Sequence, residues 1–92
     1  MKFGEKLKSI RKEKGYTQKD IYTILEVSPN CDASWEQGRT QPDIENIKRL
    51  CLIFKISADY LLGFEDEFGQ KDYSDEFSYS DGTHNITHKR RK

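Results

Sequence analysis

The side chains that most often carry out chemistry in proteins are sparse in this sequence. Its two cysteines, Cys31 and Cys51, and its two histidines, His84 and His88, match no zinc-ligand spacing. No nucleophile–base pair and no phosphate-binding loop stands out. We therefore expect no enzyme activity, no metal or cofactor, no small-molecule substrate, and two ordinary thiols in a reducing cytoplasm.

Charge is distributed unevenly along the chain, although its 16 basic and 16 acidic side chains cancel. Residues 1–63 carry eleven basic and nine acidic groups, residues 64–87 carry seven acidic groups and one lysine, and residues 88–92 are basic. Overall neutrality therefore does not exclude a polyanionic partner. No apolar run approaches the roughly 20 residues that span a bilayer, and no secretory signal is recognisable, so we expect no membrane association and a cytoplasmic location.

Apolar residues in the first domain recur with the spacing of amphipathic helices, without any strand pattern. Thr17, Asp43 and Ser57 are suited to cap the second, fourth and fifth of these helices. Ser28 is predicted to cap the third, with Pro29 at its first helical position. The sequence thus predicts an all-α domain of five short helices that share one core.

The second and third predicted helices fit a helix-turn-helix unit, because a connection of only three or four residues separates them. The sequence also resembles the phage-repressor and Cro-like (Xre-type) helix-turn-helix family of transcriptional regulators in four stretches with the order and spacing of that family: Gly15-Tyr16-Thr17-Gln18, Val27-Ser28-Pro29-Asn30, Trp35-Glu36-Gln37-Gly38-Arg39-Thr40-Gln41-Pro42 and Ile56-Ser57-Ala58-Asp59-Tyr60-Leu61-Leu62-Gly63. Members of this family typically bind operator DNA as dimers.

The resemblance implies a set of residues that contact bases in the major groove. These residues lie near the start of the recognition helix, where short polar side chains reach base edges: Pro29, Asn30 and Ser34. Asn30 is the best candidate, because its amide can pair with both N6 and N7 of adenine. From local sequence alone, a plain turn or cap role for Asn30 is an equal alternative.

The resemblance also implies contacts with the sugar-phosphate backbone, from Gln18, Gln37, Arg39 and Thr40. Gln18 opens the second helix, whose free N–H groups suit a phosphate. Arg39 has the alternative of being a solvated loop charge. In relatives the positions of Arg11 and Glu36 form an ion pair, which implies a structural role for both, and Trp35 is expected in the core.

Two residues depart from the family pattern. Tyr22 replaces a small alanine, and Asp32 replaces a buried Ile or Val, where an unpaired carboxylate would be costly. One hypothesis is that the Tyr22 hydroxyl donates a hydrogen bond to Asp32. The others are a shifted third helix that lets Asp32 reach water, or a destabilising substitution without purpose.

The chain after residue 63 reads as an acidic linker and C-terminal extension over 64–92. Asp81-Gly82 is a preferred two-residue hairpin turn, so residues 77–87 predict a β-hairpin, with an unstructured tail as the alternative. The basic end, 89–92, could touch phosphate or remain solvated.

These patterns together predict a sequence-specific regulator of transcription that binds double-stranded DNA as a homodimer on a palindromic operator and acts as a repressor. The alternative is a protein-interaction module on the same fold, such as an antitoxin-like protein or a regulator-binding adaptor, and Tyr22 and Asp32 are the residues that favour it.

Overall fold

The computed structural model describes residues 2–73, which contain five α-helices joined by short connections. The helices are α1 (Phe3–Glu13), α2 (Gln18–Leu25), α3 (Cys31–Gln37), α4 (Ile44–Phe54) and α5 (Ala58–Leu62). The only β pairing within these residues is an isolated antiparallel bridge between Glu65 and Lys71. The expectation of an all-α, five-helix domain is confirmed for this part of the chain.

Side-chain caps define the first residues of three helices, at the positions that the sequence predicts. Thr17 caps α2 by accepting the backbone N–H of Asp20 through Oγ1 at 3.0 Å, and the Asp20 carboxylate accepts the Thr17 N–H at 2.8 Å. Asp43 and Ser57 cap α4 and α5, each accepting the N–H three residues on. Each such cap stabilises its helix by about 1 kcal/mol.

The third helix begins later than predicted, and Ser28 is not its cap. The Ser28 carbonyl accepts the N–H of Cys31 at 3.0 Å, which closes a turn containing Pro29 and Asn30, and α3 begins at Cys31. The Ser28 hydroxyl contacts Cys31 Sγ at 3.3 Å. Asn30 has φ −91° and ψ −3°, so the chain passes from the turn into the helix without an extended cap residue. Pro29 and Asn30 therefore precede α3.

One apolar core joins all five helices. Its buried members come from every helix: Leu7, Ile10, Ile21, Leu25, Trp35, Leu50, Phe54 and Leu61. Trp35 is 4% exposed, which confirms its predicted role in packing. Ile24 and Ile44 recur with the apolar spacing of α2 and α4 but are 51% and 83% exposed. Ile24 lies at the edge of the apolar stripe of α2, and Ile44 is the first residue of α4, so neither reaches the core.

Residues 64–73, the first part of the predicted acidic linker, contact α5. The backbone N–H of Asp72 donates to the Phe64 carbonyl at 2.8 Å, which closes the segment into a loop. Lys71 Nζ lies 3.0 Å from Asp59 Oδ2 on α5. Two of the acidic side chains in this segment have partners. Lys71 pairs with Glu65, and Asp66 accepts two backbone N–H groups.

The predicted hairpin at 77–87 and the basic end at 89–92 lie outside the described residues. Within residues 2–73, none of the helices combines the length and the apolar character that crossing a membrane requires. The same residues contain no group of three or more His, Cys, Asp or Glu side chains that could hold a metal ion.

Candidate nucleic-acid interface

The turn before α3 presents Pro29 and Asn30 at the surface, and both residues are exposed. Asn30 occupies the N-cap position, but its side chain makes no capping hydrogen bond. Its carbonyl accepts the N–H of Ser34 at 2.9 Å, so the backbone is tied to α3 while the side-chain amide stays available. An amide in this place can offer a donor and an acceptor to one base edge.

Ser34 lies one turn into α3 and contacts the loop that follows the helix. Its hydroxyl oxygen is 2.7 Å from Thr40 Oγ1, and its carbonyl accepts the backbone N–H of Arg39 at 3.0 Å. Gly38, with φ +80°, provides the left-handed residue that turns the chain back in this way. The structure thus brings a predicted base-contact residue together with two predicted phosphate-contact residues.

Gln37 and Arg39 are exposed on either side of Gly38. Among residues 2–73, the Arg39 guanidinium takes part in no ion pair and no hydrogen bond with another side chain or carbonyl. A guanidinium without an internal partner can bind a phosphate without first losing another contact.

Gln18 is the first residue of α2, and its side chain is already engaged. Its amide nitrogen Nε2 donates to Glu36 Oε1 at 3.1 Å. The Asp20 N–H is taken by the Thr17 cap. The backbone N–H groups of Gln18 and Lys19 therefore remain as the donors at the positive end of α2, where an anion is favoured.

Arg11 and Glu36, which the family resemblance pairs, lie in contact across α1 and α3. Arg11 Nε is 2.6 Å from Glu36 Oε2, and Arg11 also donates to Glu36 Oε1 at 3.2 Å and to the Tyr16 carbonyl at 2.8 Å. The hydrogen bond with Glu36 raises the pKa of Arg11. Burial would raise the pKa of Glu36, but the hydrogen bonds from Arg11 and Gln18 help to hold that pKa below its ordinary value.

Asp32 lies inside this cluster and has no access to water, with an exposed fraction of 0%. Neither of its oxygens finds a hydrogen-bond donor among residues 2–73. Arg11 Nε is 3.7 Å from Asp32 Oδ2, which is a charge contact beyond hydrogen-bonding distance. Burial, and after it the neighbouring Glu36 carboxyl group, raise the pKa of Asp32 to about 8, although the charge of Arg11 lowers it.

The predicted hydrogen bond from Tyr22 to Asp32 is wrong, because no donor reaches either Asp32 oxygen. The alternative in which a shifted α3 lets Asp32 reach water is also wrong, since Asp32 is fully buried. Tyr22 lies half-buried on α2. Glu36 lies one helical turn along the same helix, and its carboxyl group contributes to the raised pKa of Asp32.

Sequence reasoning missed the Asp32–Glu36 pair, although its signal was present. Two acidic residues four positions apart on one helix are neighbours, and like charges at that spacing repel unless one is neutral. Both side chains face Arg11 on α1, and Glu36 also binds Gln18 on α2. The contact between Ser34 and Thr40 was also missed, because it depends on the reversal of the chain at Gly38.

Comparison with known proteins decides the family. Residues 4–67 match the helix-turn-helix domain family. This chain belongs to that family. The match spans all five helices and the first part of the loop after α5, so the resemblance seen in the sequence is confirmed.

Relatives of this helix-turn-helix protein are named as transcriptional regulators. The HTH-type transcriptional regulator ImmR of Bacillus subtilis is 35% identical over 75 residues, which cover 82% of this chain and 58% of ImmR. The SPbeta prophage-derived uncharacterized HTH-type transcriptional regulator YonR, also of Bacillus subtilis, is 35% identical over 60 residues, which cover 65% of this chain and 56% of YonR. The chain thus spans little more than half the length of these curated relatives.

A solved structure shares the helix-turn-helix fold. The crystal structure of a transcriptional regulator from Listeria innocua has a TM-score of 0.65 and 28% sequence identity to this chain. The alignment covers 99% of this chain and 78% of the Listeria protein.

Proposed function

We propose that this helix-turn-helix protein is a sequence-specific DNA-binding regulator of transcription that acts as a repressor. The observation that carries the proposal is the 2.7 Å contact between the hydroxyl oxygens of Ser34 on α3 and Thr40 in the following loop. It sets side chains suited to base edges beside side chains suited to phosphates, which is the arrangement that a major-groove reader requires. The printed names of the relatives support the same class of function.

In this proposal α3 lies in the major groove and the turn before it meets the bases. Asn30 reads an adenine through its free amide, with Pro29 and Ser34 contacting the neighbouring bases. Arg39 and Thr40 bind the sugar-phosphate backbone next to the groove, and Gln37 assists them. The backbone N–H groups at the start of α2, beginning with Gln18, bind a second phosphate.

Two copies of the protein bind one operator. A single short recognition helix reads only a few base pairs, so a homodimer on a palindrome supplies the length of sequence that specificity requires. The two recognition helices would enter successive major grooves, about 34 Å apart. Repression follows from occupancy, because the bound dimer obstructs polymerase or other proteins at that site. This role places the protein with the DNA, in the cytoplasm.

The alternative role as a protein-interaction module loses its main support. Asp32 and Tyr22 favoured it as departures that could mark a new docking surface. Asp32 is fully buried, so it offers no group to a partner, and Tyr22 is half-buried. Asn30 and Arg39 are exposed, and their amide and guanidinium groups suit contacts with DNA.

Selection of bound duplexes from a random-sequence DNA pool tests the proposal. A palindrome with half-sites about one helical turn apart is the expected result. Sedimentation of the protein with the selected duplex then gives the number of copies bound, for which two is expected. Recovery of no enriched sequence at low salt, with the protein folded by circular dichroism, would contradict sequence-specific DNA binding.

A further inference from the structure

If Asp32 and Glu36 were both ionised, the buried groups around them would carry one unbalanced negative charge. Asp32 and the Glu36 side chain are 0% and 3% exposed, so both carboxyl groups lie out of water. One guanidinium, that of Arg11, faces them from α1. From α2 the cluster receives only the neutral amide of Gln18, which bonds Glu36. Two carboxylates and one guanidinium would therefore leave a buried net negative charge.

Hydrogen bonding shows which of the two carboxyl groups carries the charge. Glu36 accepts three hydrogen bonds, two from Arg11 and one from Gln18, all of which stabilise its ionised form. Asp32 accepts none. A buried carboxylate without a donor is strongly unfavourable, whereas a protonated carboxyl group can donate to a neighbouring carboxylate.

We propose that Asp32 carries a proton in the folded protein at neutral pH and donates it to Glu36, so that this single proton holds α3 in the position that DNA binding requires. Asp32 is then a positioning residue that acts through Glu36. The raised pKa of Asp32, for which burial is the largest cause, agrees with this assignment. The consequence for DNA binding rests on the function proposed above.

Loss of the proton would weaken the placement of α3 relative to α1 and α2. Ionised Asp32 would face ionised Glu36 in a dry site, and the repulsion would favour a displaced α3 in which Asp32 reaches water. Glu36 also binds the side chain of Gln18 at the start of α2. A displaced α3 would therefore alter the candidate phosphate contact at α2 as well as the candidate base contacts at α3. Bound DNA would bring a phosphate to the start of α2 next to Gln18, and this favours the protonated state further, because nearby negative charge disfavours ionisation.

The state of the proton can be measured without DNA. The ¹³C chemical shift of the Asp32 carboxyl carbon, followed by NMR in the full chain, is expected to show a neutral carboxyl group at pH 6 and to change only above neutral pH. A titration of Asp32 near pH 4 in the folded protein would overturn the assignment, whether or not the protein binds DNA.

DNA affinity tests the positioning role, with a duplex selected by this protein as the probe. For wild type, the dissociation constant is expected to be level below neutral pH and to rise up to about tenfold per pH unit above about pH 8, since one proton is linked to binding. Asp32→Asn is expected to keep the affinity and lose this dependence, because an amide donates to Glu36 without titrating. The matched control Glu26→Gln removes an exposed carboxylate at the far end of α2 and should retain the wild-type profile.

The affinity measurement separates the positioning role of Asp32 from the proposed DNA-binding function. An Asp32→Asn profile that follows wild type would overturn the positioning role, even if NMR shows Asp32 protonated. If no duplex binds at any pH, the proposed function fails, and the NMR titration still decides whether the proton is there. Amide spectra of Asp32→Asn at each pH confirm that the variant is folded.

Discussion

Gly4 on α1 packs directly on the backbone of Trp35 on α3. A Cβ built on Gly4 would lie 2.7 Å from the Trp35 carbonyl oxygen and closer still to that of Glu36, although real Cβ atoms essentially never approach within 3.0 Å. Glycine at this position therefore permits the close approach of α1 and α3 that brings Arg11 to Glu36. The same approach encloses Asp32.

Gly4→Ala is expected to destabilise the protein by about 1–3 kcal/mol, because the added methyl group meets backbone atoms that cannot rotate away. Urea unfolding followed by circular dichroism measures the change. Ser9→Ala, at an exposed position of the same helix, is the matched control and should stay within about 0.5 kcal/mol of wild type. Equal stability of the two variants would show that α1 and α3 are less tightly packed than the structure indicates.

Asp32→Asn is expected to raise the free energy of unfolding at neutral pH and to change its pH dependence. The folded-state pKa of Asp32 is raised to about 8 from 3.8, so the stability linked to its proton is complete below about pH 4 and is lost as pH rises toward 8. For one such group the free energy of unfolding falls by about 1.4 kcal/mol per pH unit across that window.

Urea unfolding of wild type and Asp32→Asn between about pH 5 and pH 8 checks this sign, with the window kept above the ordinary titration range of exposed carboxyl groups. The difference in stability between the two proteins should widen as pH rises. A constant difference would mean that Asp32 has the same protonation state in the folded and unfolded chains.

Ser34 and Thr40 are expected to act as a pair in DNA binding. Each single alanine variant removes one hydroxyl and leaves the other without its 2.7 Å partner, at a cost of about 1 kcal/mol of binding free energy. The double variant should cost less than the sum of the two, because the contact is lost only once. Affinity for the selected duplex, in a double-mutant cycle, measures the coupling. Strict additivity would show that the hydroxyl contact does not contribute to the interface.

Asn30→Ala and Arg39→Ala are expected to weaken DNA binding in different ways. Asn30→Ala should cost about 1–3 kcal/mol on the selected duplex and relax the preference at a single base pair. Arg39→Ala should weaken binding to all sequences alike and lower the slope of log affinity against log salt by about 1.

Arg49→Ala provides the control for charge alone. Arg49 lies on α4 and donates to the Leu25 carbonyl, at the opposite end of α2 from Gln18. Arg49→Ala should therefore leave the slope of log affinity against log salt nearly unchanged. A loss from Arg49→Ala equal to that from Arg39→Ala would mean that net charge, and not the placement of Arg39, determines affinity.

The starts of α2, α4 and α5 follow from short stretches of sequence. Thr17, Asp43 and Ser57 each accept an N–H three residues further on, an interaction within one helical turn that needs no distant partner. The start of α3 was less certain because Ser28 and Asn30 are both common cap residues. Turn formation across Pro29 determined the outcome, and Asn30 was left with a free amide.

The amino-acid sequence was sufficient to predict the helical class, the family and most of the helix boundaries, because periodicity, caps and motif spacing are local properties. It could not place Asp32, since the cost of a buried carboxylate depends on groups that come from α1 and α2 as well as from α3. Only the packing of the three helices showed that Arg11 and Gln18 both bind Glu36 and leave Asp32 without a donor. The formal charge count of the sequence treats Asp32 as ionised, but its tertiary contacts determine whether it carries a proton.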